Sequence, residues 1–529
     1  MSIRKDEYKP LLFTTTIRNP ERIKDFLKVI SKYDGQILSN KVIKKIAFDL
    51  IKNKIYLPEY VNRIPKLKSK AKNDESFTDE EVEEILENSP QEHKEAGFDK
   101  GWPSRFDTWY KFLKELGFIY YEPGRSILLS NSGKELIKST EPGKEYLEQE
   151  VYLSAFSKYQ RDNPYRRVKN RNKPLVLLLQ TILKLREIYG NNSAGISVNE
   201  IPLFICWRDD NYIKLADTIV QIRKKYRFTP SDEYIYSICK DLLGIDSNGE
   251  KRFKISNICH ELPDEFIRKM RMTGLLSLRG MGRFVDINNQ SIDRVNYVIS
   301  NYSSLLNFSS EKAYFDYAKS IDYKLVNINL ANQVNDYKAH QLFTKLVENF
   351  DLDTLLEELN IVGNDKRASN NPVFKLISKP LRFEFLTALT LQKQFKDILV
   401  EPNYSIDDEG MPVSFAPGGK PDIVCTDKNG KVCFEVSLIM SRQVTDEMIP
   451  IQRHLEDVLQ NDDKAFTVFL DSYIHPDAKN YVEWLADKKF IYIIPIEIKT
   501  FTSKIKEMVD IRDFFPADVT RQVYKVTVN

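Results

Sequence analysis

Two carboxylates, Asp422 and Glu435, flank a turn signal, Asp427-Lys428-Asn429-Gly430. Asn429-Gly430 suits the central positions of a type I′ hairpin turn. That turn sets Lys428 opposite Lys431, Thr426 opposite Cys433, Val424 opposite Glu435 and Asp422 opposite Ser437. Ile423, Cys425, Val432, Phe434 and Val436 then share a face able to bury, and Asp422, Val424, Thr426, Cys433, Glu435 and Ser437 share the other. Asp422 and Glu435 become diagonal neighbours with Cβ atoms roughly 7 Å or less apart. Two carboxylates so placed suit one hard divalent cation, which prefers oxygen ligands. A D-x12-E pair also fits an ordinary hairpin with solvated acids, but three further groups favour chemistry. Glu384 lies in the apolar run Leu381-Arg382-Phe383-Glu384-Phe385-Leu386, where a carboxylate needs a reason to be inside. Glu447 and His454 follow the second strand, seven residues apart, which is two helical turns and one face. Pro450 between them interrupts that pattern. His454, beside Arg453, has a side chain that titrates near neutral pH.

The elements that position these groups belong to a long chain. At ~150 residues per domain, 529 residues and 61.8 kDa suggest three or four domains. The chain carries 79 Lys+Arg against 76 Asp+Glu, and its 42% hydrophobic content can fill several cores, which excludes wholesale disorder. Five cysteines (Cys206, Cys239, Cys259, Cys425, Cys433) are odd in number and contain no C-x-x-C, arguing against a disulfide framework and a structural zinc site. The hairpin register also sets Cys425 and Cys433 on opposite faces. No apolar stretch reaches the ~18 residues of a membrane helix, and no signal-peptide core follows Met1–Glu7. A soluble, cytoplasmic protein with no membrane partner is expected.

The charge is asymmetric, about +10 over residues 1–300 and about −7 over 301–529. Three basic runs, Arg63–Lys72, Arg161–Lys173 and Arg223–Arg227, fit either solvated helix faces or a phosphate backbone. The acidic block Asp74–Glu87 reads as a solvated face. Two segments repeat one shape. A helix over Arg105–Leu116 ends at Gly117, a hairpin pairs Phe118–Tyr121 with Ser126–Leu129, and Ser130 caps a helix through Leu136. A helix over Asp264–Thr273 ends at Gly274, and a hairpin pairs Leu275–Leu278 with Phe284–Ile287. Helix then hairpin is the second half of a winged helix, whose helix ahead of the wing enters a DNA groove. Candidate DNA contacts are Arg105, Lys111 and Lys114 on the first helix and Arg268, Lys269 and Arg271 on the second. Arg125, Arg279 and Arg283 lie on the wings. The expected organisation is a winged-helix DNA-recognition domain over 1–150, a second over 151–300, a helical linker over 301–370 and the carboxylate-bearing domain over 371–529.

The pieces Phe383-Glu384-Phe385, Gly418-Gly419-Lys420-Pro421-Asp422, Glu435-Val436-Ser437, and Glu447 with Arg453-His454 together resemble the AlwI family of type IIS restriction and nicking endonucleases. Phe466–Asp471, Ile491–Pro495 and Arg18-Asn19-Pro20-Glu21-Arg22-Ile23 add to the likeness, which covers most of the chain and is weakest over 301–370. The resemblance implies a multidomain α+β protein, its mainly helical winged-helix half joined by a helical linker to an α/β cleavage domain of the PD-(D/E)xK superfamily. It implies hydrolysis of double-stranded DNA outside a recognised sequence, with Mg²⁺ as cofactor. Asp422, Glu435, Glu384 and the Val436 carbonyl would hold the metal, and His454, oriented by Glu447, would take the water's proton. Glu384, Asp422, Glu435, Glu447 and His454 are the expected catalytic set. Ser437 stands where the superfamily name expects Lys, a departure the AlwI family shares. Cutting both strands would need transient dimerisation of cleavage domains on DNA or a small partner subunit. A strand-specific nicking enzyme and a catalytically inactive winged-helix regulator are the alternatives.

Overall fold

The computed structural model describes residues 7–14, 17, 21–72, 75–92, 94–95, 97–141, 144–245, 252–329, 336–364, 367–416, 419–438 and 444–515. Arg18-Asn19-Pro20 and Gly418, which carry part of the resemblance, lie outside the described residues. The chain is mixed α/β and mostly helical. It divides into two units: Met1–Thr140 with Leu147–Gln333, and Glu141–Tyr146 with Val334–Asn529.

In the first unit, helix α1 (Trp102–Glu115) buries Phe106, Trp109, Tyr110, Phe112 and Leu113. Each large apolar side chain so buried contributes roughly 1.5–3 kcal/mol. Gly117, at φ +75°, ends the helix, and a Cβ there would lie 2.6 Å from Ala318. Strands β1 (Ile119–Tyr120) and β2 (Leu128–Leu129) pair antiparallel. Ser130 caps α2 (Asn131–Lys138) by accepting the Gly133 N–H at 2.9 Å. The second helix–hairpin is α3 (Leu262–Arg271), β3 (Leu276–Arg279) and β4 (Phe284–Ile287), with Leu278 opposite Val285. Strand Ile196–Ser197 extends that hairpin to three strands.

The second unit centres on a five-stranded sheet in the order β9-β8-β7-β6-β5, preceded by helix α4 (Lys379–Gln394). Its strands are β5 (Leu399–Pro402), β6 (Ile423–Asp427), β7 (Gly430–Ser437), β8 (Phe466–Asp471) and β9 (Ile493–Glu497). β5, β6 and β7 run antiparallel, whereas β7, β8 and β9 are parallel. Parallel strands need crossovers, which α5 (Val444–Leu459) and α6 (Pro476–Lys489) provide. Every residue of β8 is buried, as suits a strand covered on both faces. Met448, Ile451 and Leu455 of α5 pack in one core with Phe469 of β8.

The hairpin register differs from the expected one. Gly430 pairs with Asp427 and Phe434 with Ile423, so the central turn residues are Lys428 and Asn429, neither of them at positive φ. Local hydrogen bonding explains the shift. The Asp427 carboxylate accepts the Asn429 N–H at 2.7 Å, an Asx turn that competes with the I′ geometry. Gly430, at φ +128°, packs against Asp462, whose carboxylate lies 2.5 Å from where a Cβ would stand. The shift is two residues, so each side chain keeps its face. It brings Asp422 directly opposite Glu435 instead of diagonal to it.

Candidate active site

Glu384 is carried by α4, whose Phe383, Phe385, Leu386 and Leu389 are all buried. Glu384 itself is only 5% exposed, and its Oε2 makes no hydrogen bond. Burial, reinforced by the charges of Asp422 and Glu435, pushes its pKa well above the usual carboxylate range. Asp422 stands one residue before β6 and accepts the Val436 N–H at Oδ2, 2.9 Å away. Glu435, on β7, is buried, and its Oε1 lies 2.8 Å from Nδ1 of His454. Burial raises the pKa of both; Glu435 adds to the effect on Asp422, and Glu447 to that on Glu435. Burial lowers that of His454. The structure thus gathers three carboxylates and an imidazole around the end of the β6–β7 hairpin.

Helix α5 runs through Pro450 without a break, so Glu447 and His454 do share one helix. Their expected partnership is not what the structure shows. The imidazole is held by Glu435, one of the two facing carboxylates. Glu447 acts electrostatically on Glu435 and on Asp471.

Two acids missing from the sequence reading join the cluster. Asp471 ends β8 fully buried; burial first, then Glu447, raises its pKa to about 8. A run of four apolar or β-branched residues closed by an acid, Val468-Phe469-Leu470-Asp471 after Thr467, was the available signal. Glu145 belongs to the short segment Glu141–Tyr146 that packs with this unit, and its charge bears on Glu384, Asp422, Glu435 and His454. It is so distant in sequence that no local signal marked it. Among the described residues, no group of three or more His, Cys, Asp or Glu side chains is arranged to hold a metal ion by itself. Mg²⁺ does not require one, since it commonly takes one or two carboxylates with water and substrate phosphate.

The basic candidates of the first unit divide. Arg105, Lys111 and Arg268 are half-buried, with Arg105 stacked over Tyr56 and bonded to its hydroxyl at 2.9 Å. Lys114, Lys269 and Arg271 are buried, a correction to their expected place on a DNA-facing surface. Lys114 pairs with Glu311 at 2.5 Å and Lys269 with Glu265 at 2.6 Å. Both lie on helix faces that pack aromatic side chains, including Tyr121 and Tyr165 around Lys114 and Phe13 and Phe112 around Lys269. Arg125 remains exposed, while Arg279 pairs with Asp286. Among the described residues no helix is long and apolar enough to cross a membrane.

The model of the AlwI restriction endonuclease family matches residues 114–362 and 317–503. No curated protein matches the sequence. Solved structures that match include the small subunit (R.BspD6I2) of the heterodimeric restriction endonuclease R.BspD6I, at 22% identity and TM-score 0.26, covering 33% of this chain and 87% of that one. Restriction endonuclease FokI matches at 12% identity over 98% of both chains, with TM-score 0.23, and 0.21 for its structure bound to DNA.

Proposed function

From the membership of this chain in the AlwI restriction endonuclease family, we propose that it is a sequence-specific, type IIS-like restriction endonuclease that uses Mg²⁺ to hydrolyse DNA outside the sequence it recognises. The observation that carries the reading is the register that sets Asp422 opposite Glu435, their charges bearing on the buried Glu384 and His454 bonded to Glu435. These residues fit a divalent cation. Three carboxylates with raised pKa values crowd one place, and a buried oxygen of Glu384 lacks a hydrogen bond. Asp422 and Glu435 would hold the ion directly, with Glu384 reaching it through water. The Val436 carbonyl would be a further ligand: in an extended strand it leaves the backbone on the same side as the N–H that Asp422 accepts. When bound, the ion supplies positive charge to the scissile phosphate and acidifies water.

The protein's own groups do the rest. Toward Glu435 ionised by a bound cation, His454 Nδ1 would donate the hydrogen bond, the tautomer that leaves Nε2 as an acceptor. Its lowered pKa keeps the imidazole neutral at pH 7, ready to take the proton of the attacking water. Glu447 sits on the same helix and sets the local field rather than holding the imidazole. The two helix–hairpin units, read as winged helices, would bind double-stranded DNA through Arg105, Lys111 and Arg268. Each chain carries one such centre, which favours nicking as the elementary event, with double-strand cutting when two cleavage units, or a small partner subunit, meet on DNA. A plasmid time course with Mg²⁺ tests this. Nicked circles should precede linear product, and Asp422→Asn and Glu435→Gln should yield neither while still retarding DNA in a gel. Robust cutting by either variant removes this site from consideration.

A further inference from the structure

We propose that Asn403 is a positioning residue that aims the Asp422 carboxylate at the divalent cation. This rests on the reading of Asp422 as a ligand of that ion and names what holds the ligand in place. Asp422 stands just outside the regular ladder, since β6 begins at the next residue, Ile423. The chain reaches it through Gly419 and Lys420, both exposed, so packing does not fix the backbone on that approach. A ligand of Mg²⁺ needs a fixed direction, because the ion demands near-ideal octahedral geometry.

The end of β5 supplies the constraint. Pro402 pairs with Ile423, which sets Asn403, one residue beyond the strand, opposite Asp422. The Asn403 backbone N–H donates to the Asp422 carbonyl at 2.9 Å. Its side-chain amide donates from Nδ2 to the Pro421 carbonyl at 2.7 Å. Those two carbonyls belong to the peptide groups on either side of the Asp422 Cα. A residue has only two soft backbone dihedrals. Holding both flanking peptide planes fixes them, and with them the direction of the Cα–Cβ bond. From the other neighbouring strand, the Val436 N–H of β7 donates to Oδ2 at 2.9 Å. Asp422 is thus gripped by its backbone from β5 and by its carboxylate from β7. Of these three bonds, the one to Pro421 alone has a side-chain donor, so a substitution can remove it and leave the other two.

The test is a Mn²⁺ titration of the full chain, read from the EPR signal of free Mn²⁺, with wild type, Asn403→Ala, Asn403→Leu and Asp422→Asn. Both Asn403 variants lose the bond to Pro421. Leu keeps the approximate size of Asn and serves should Asn403→Ala fail to fold. Groups that orient a metal ligand are typically worth about 10–100-fold in metal affinity. The Kd for Mn²⁺ should rise by about that factor in each Asn403 variant, and the Mg²⁺ concentration for half-maximal plasmid nicking should rise with it. Unchanged Mn²⁺ affinity in a folded Asn403 variant, with only a lower melting temperature in EDTA, makes the bond purely structural and overturns the proposal. Wild type that binds Mn²⁺ no more tightly than Asp422→Asn instead overturns the reading of Asp422 as a ligand, and the proposal with it.

Discussion

Replacing Glu384 with Gln should stabilise the metal-free chain and stop it cutting. Gln preserves the volume and the helix and removes one negative charge. That charge sits 5% exposed in α4, with Oε2 unbonded and the charges of three further acids bearing on it. An ionised carboxylate left unpaired in the interior costs several kcal/mol, whereas an unsatisfied amide costs about 1–3 kcal/mol. The difference, about 2 kcal/mol, corresponds to a Tm rise of roughly 4–8 °C for a unit of this size. The sign with pH follows from the raised pKa of Glu384. Below the ordinary value of about 4.3 the wild-type carboxyl is neutral and Gln confers no advantage. As pH rises from there through the folded-state value, wild type loses stability and the gap opens. Thermal melts by circular dichroism in EDTA, from pH 5 to pH 8, measure it. Added Mg²⁺ should narrow the gap, because the ion neutralises the charge that Gln removes. A lower Tm for Glu384→Gln at pH 8 in EDTA, or undiminished cleavage, refutes the reasoning.

His454→Gln should cut roughly 10²–10⁴-fold more slowly, the usual worth of a general base. Wild-type cleavage should also decline as pH falls through the lowered His454 pKa, where the base gains its proton, and the variant's pH–rate profile should lack that decline. Lys269→Ala should act on stability. Lys269 and Glu265 form a buried pair at 2.6 Å, and removing one partner of such a pair costs about 3–5 kcal/mol. Denaturant melts should register that loss, and a variant of wild-type stability with weakened DNA binding would return Lys269 to the DNA-facing surface.

The hairpin alternation and the apolar setting of Glu384 were legible in the sequence, because both are local properties. Both survive the two-residue change in register, because a shift of two preserves every face. Less local matters were harder. The turn was decided by the Asp427 side chain and by Asp462, which meets Gly430 from beyond α5. The basic runs suited either solvated helix faces or a phosphate-binding surface, yet Arg161 and Arg166 hold the carbonyls of Lys9, Leu12, Phe13 and Ile205 from inside. Likewise Arg223 pairs with the buried Glu200, and Lys66 and Lys70 pair with Glu81. That last pairing also draws Glu81 out of the solvated face that its acidic run suggested. Charge runs announce the presence of cations but not the acids, distant in sequence, that meet them. Asp471 and Glu145 went unseen for the same reason, as only parallel strand order and chain packing bring them near Glu435.

The central claim is that this chain recognises a DNA sequence and cuts beside it with the Asp422–Glu435 centre. Sequencing the DNA ends left after digestion of a long duplex, in Mg²⁺, with wild type and Glu435→Gln, tests it most directly. The account predicts wild-type ends at a fixed distance from one short common sequence, and no ends above background with Glu435→Gln. Ends scattered without a common sequence, or the same ends from Glu435→Gln, would contradict it.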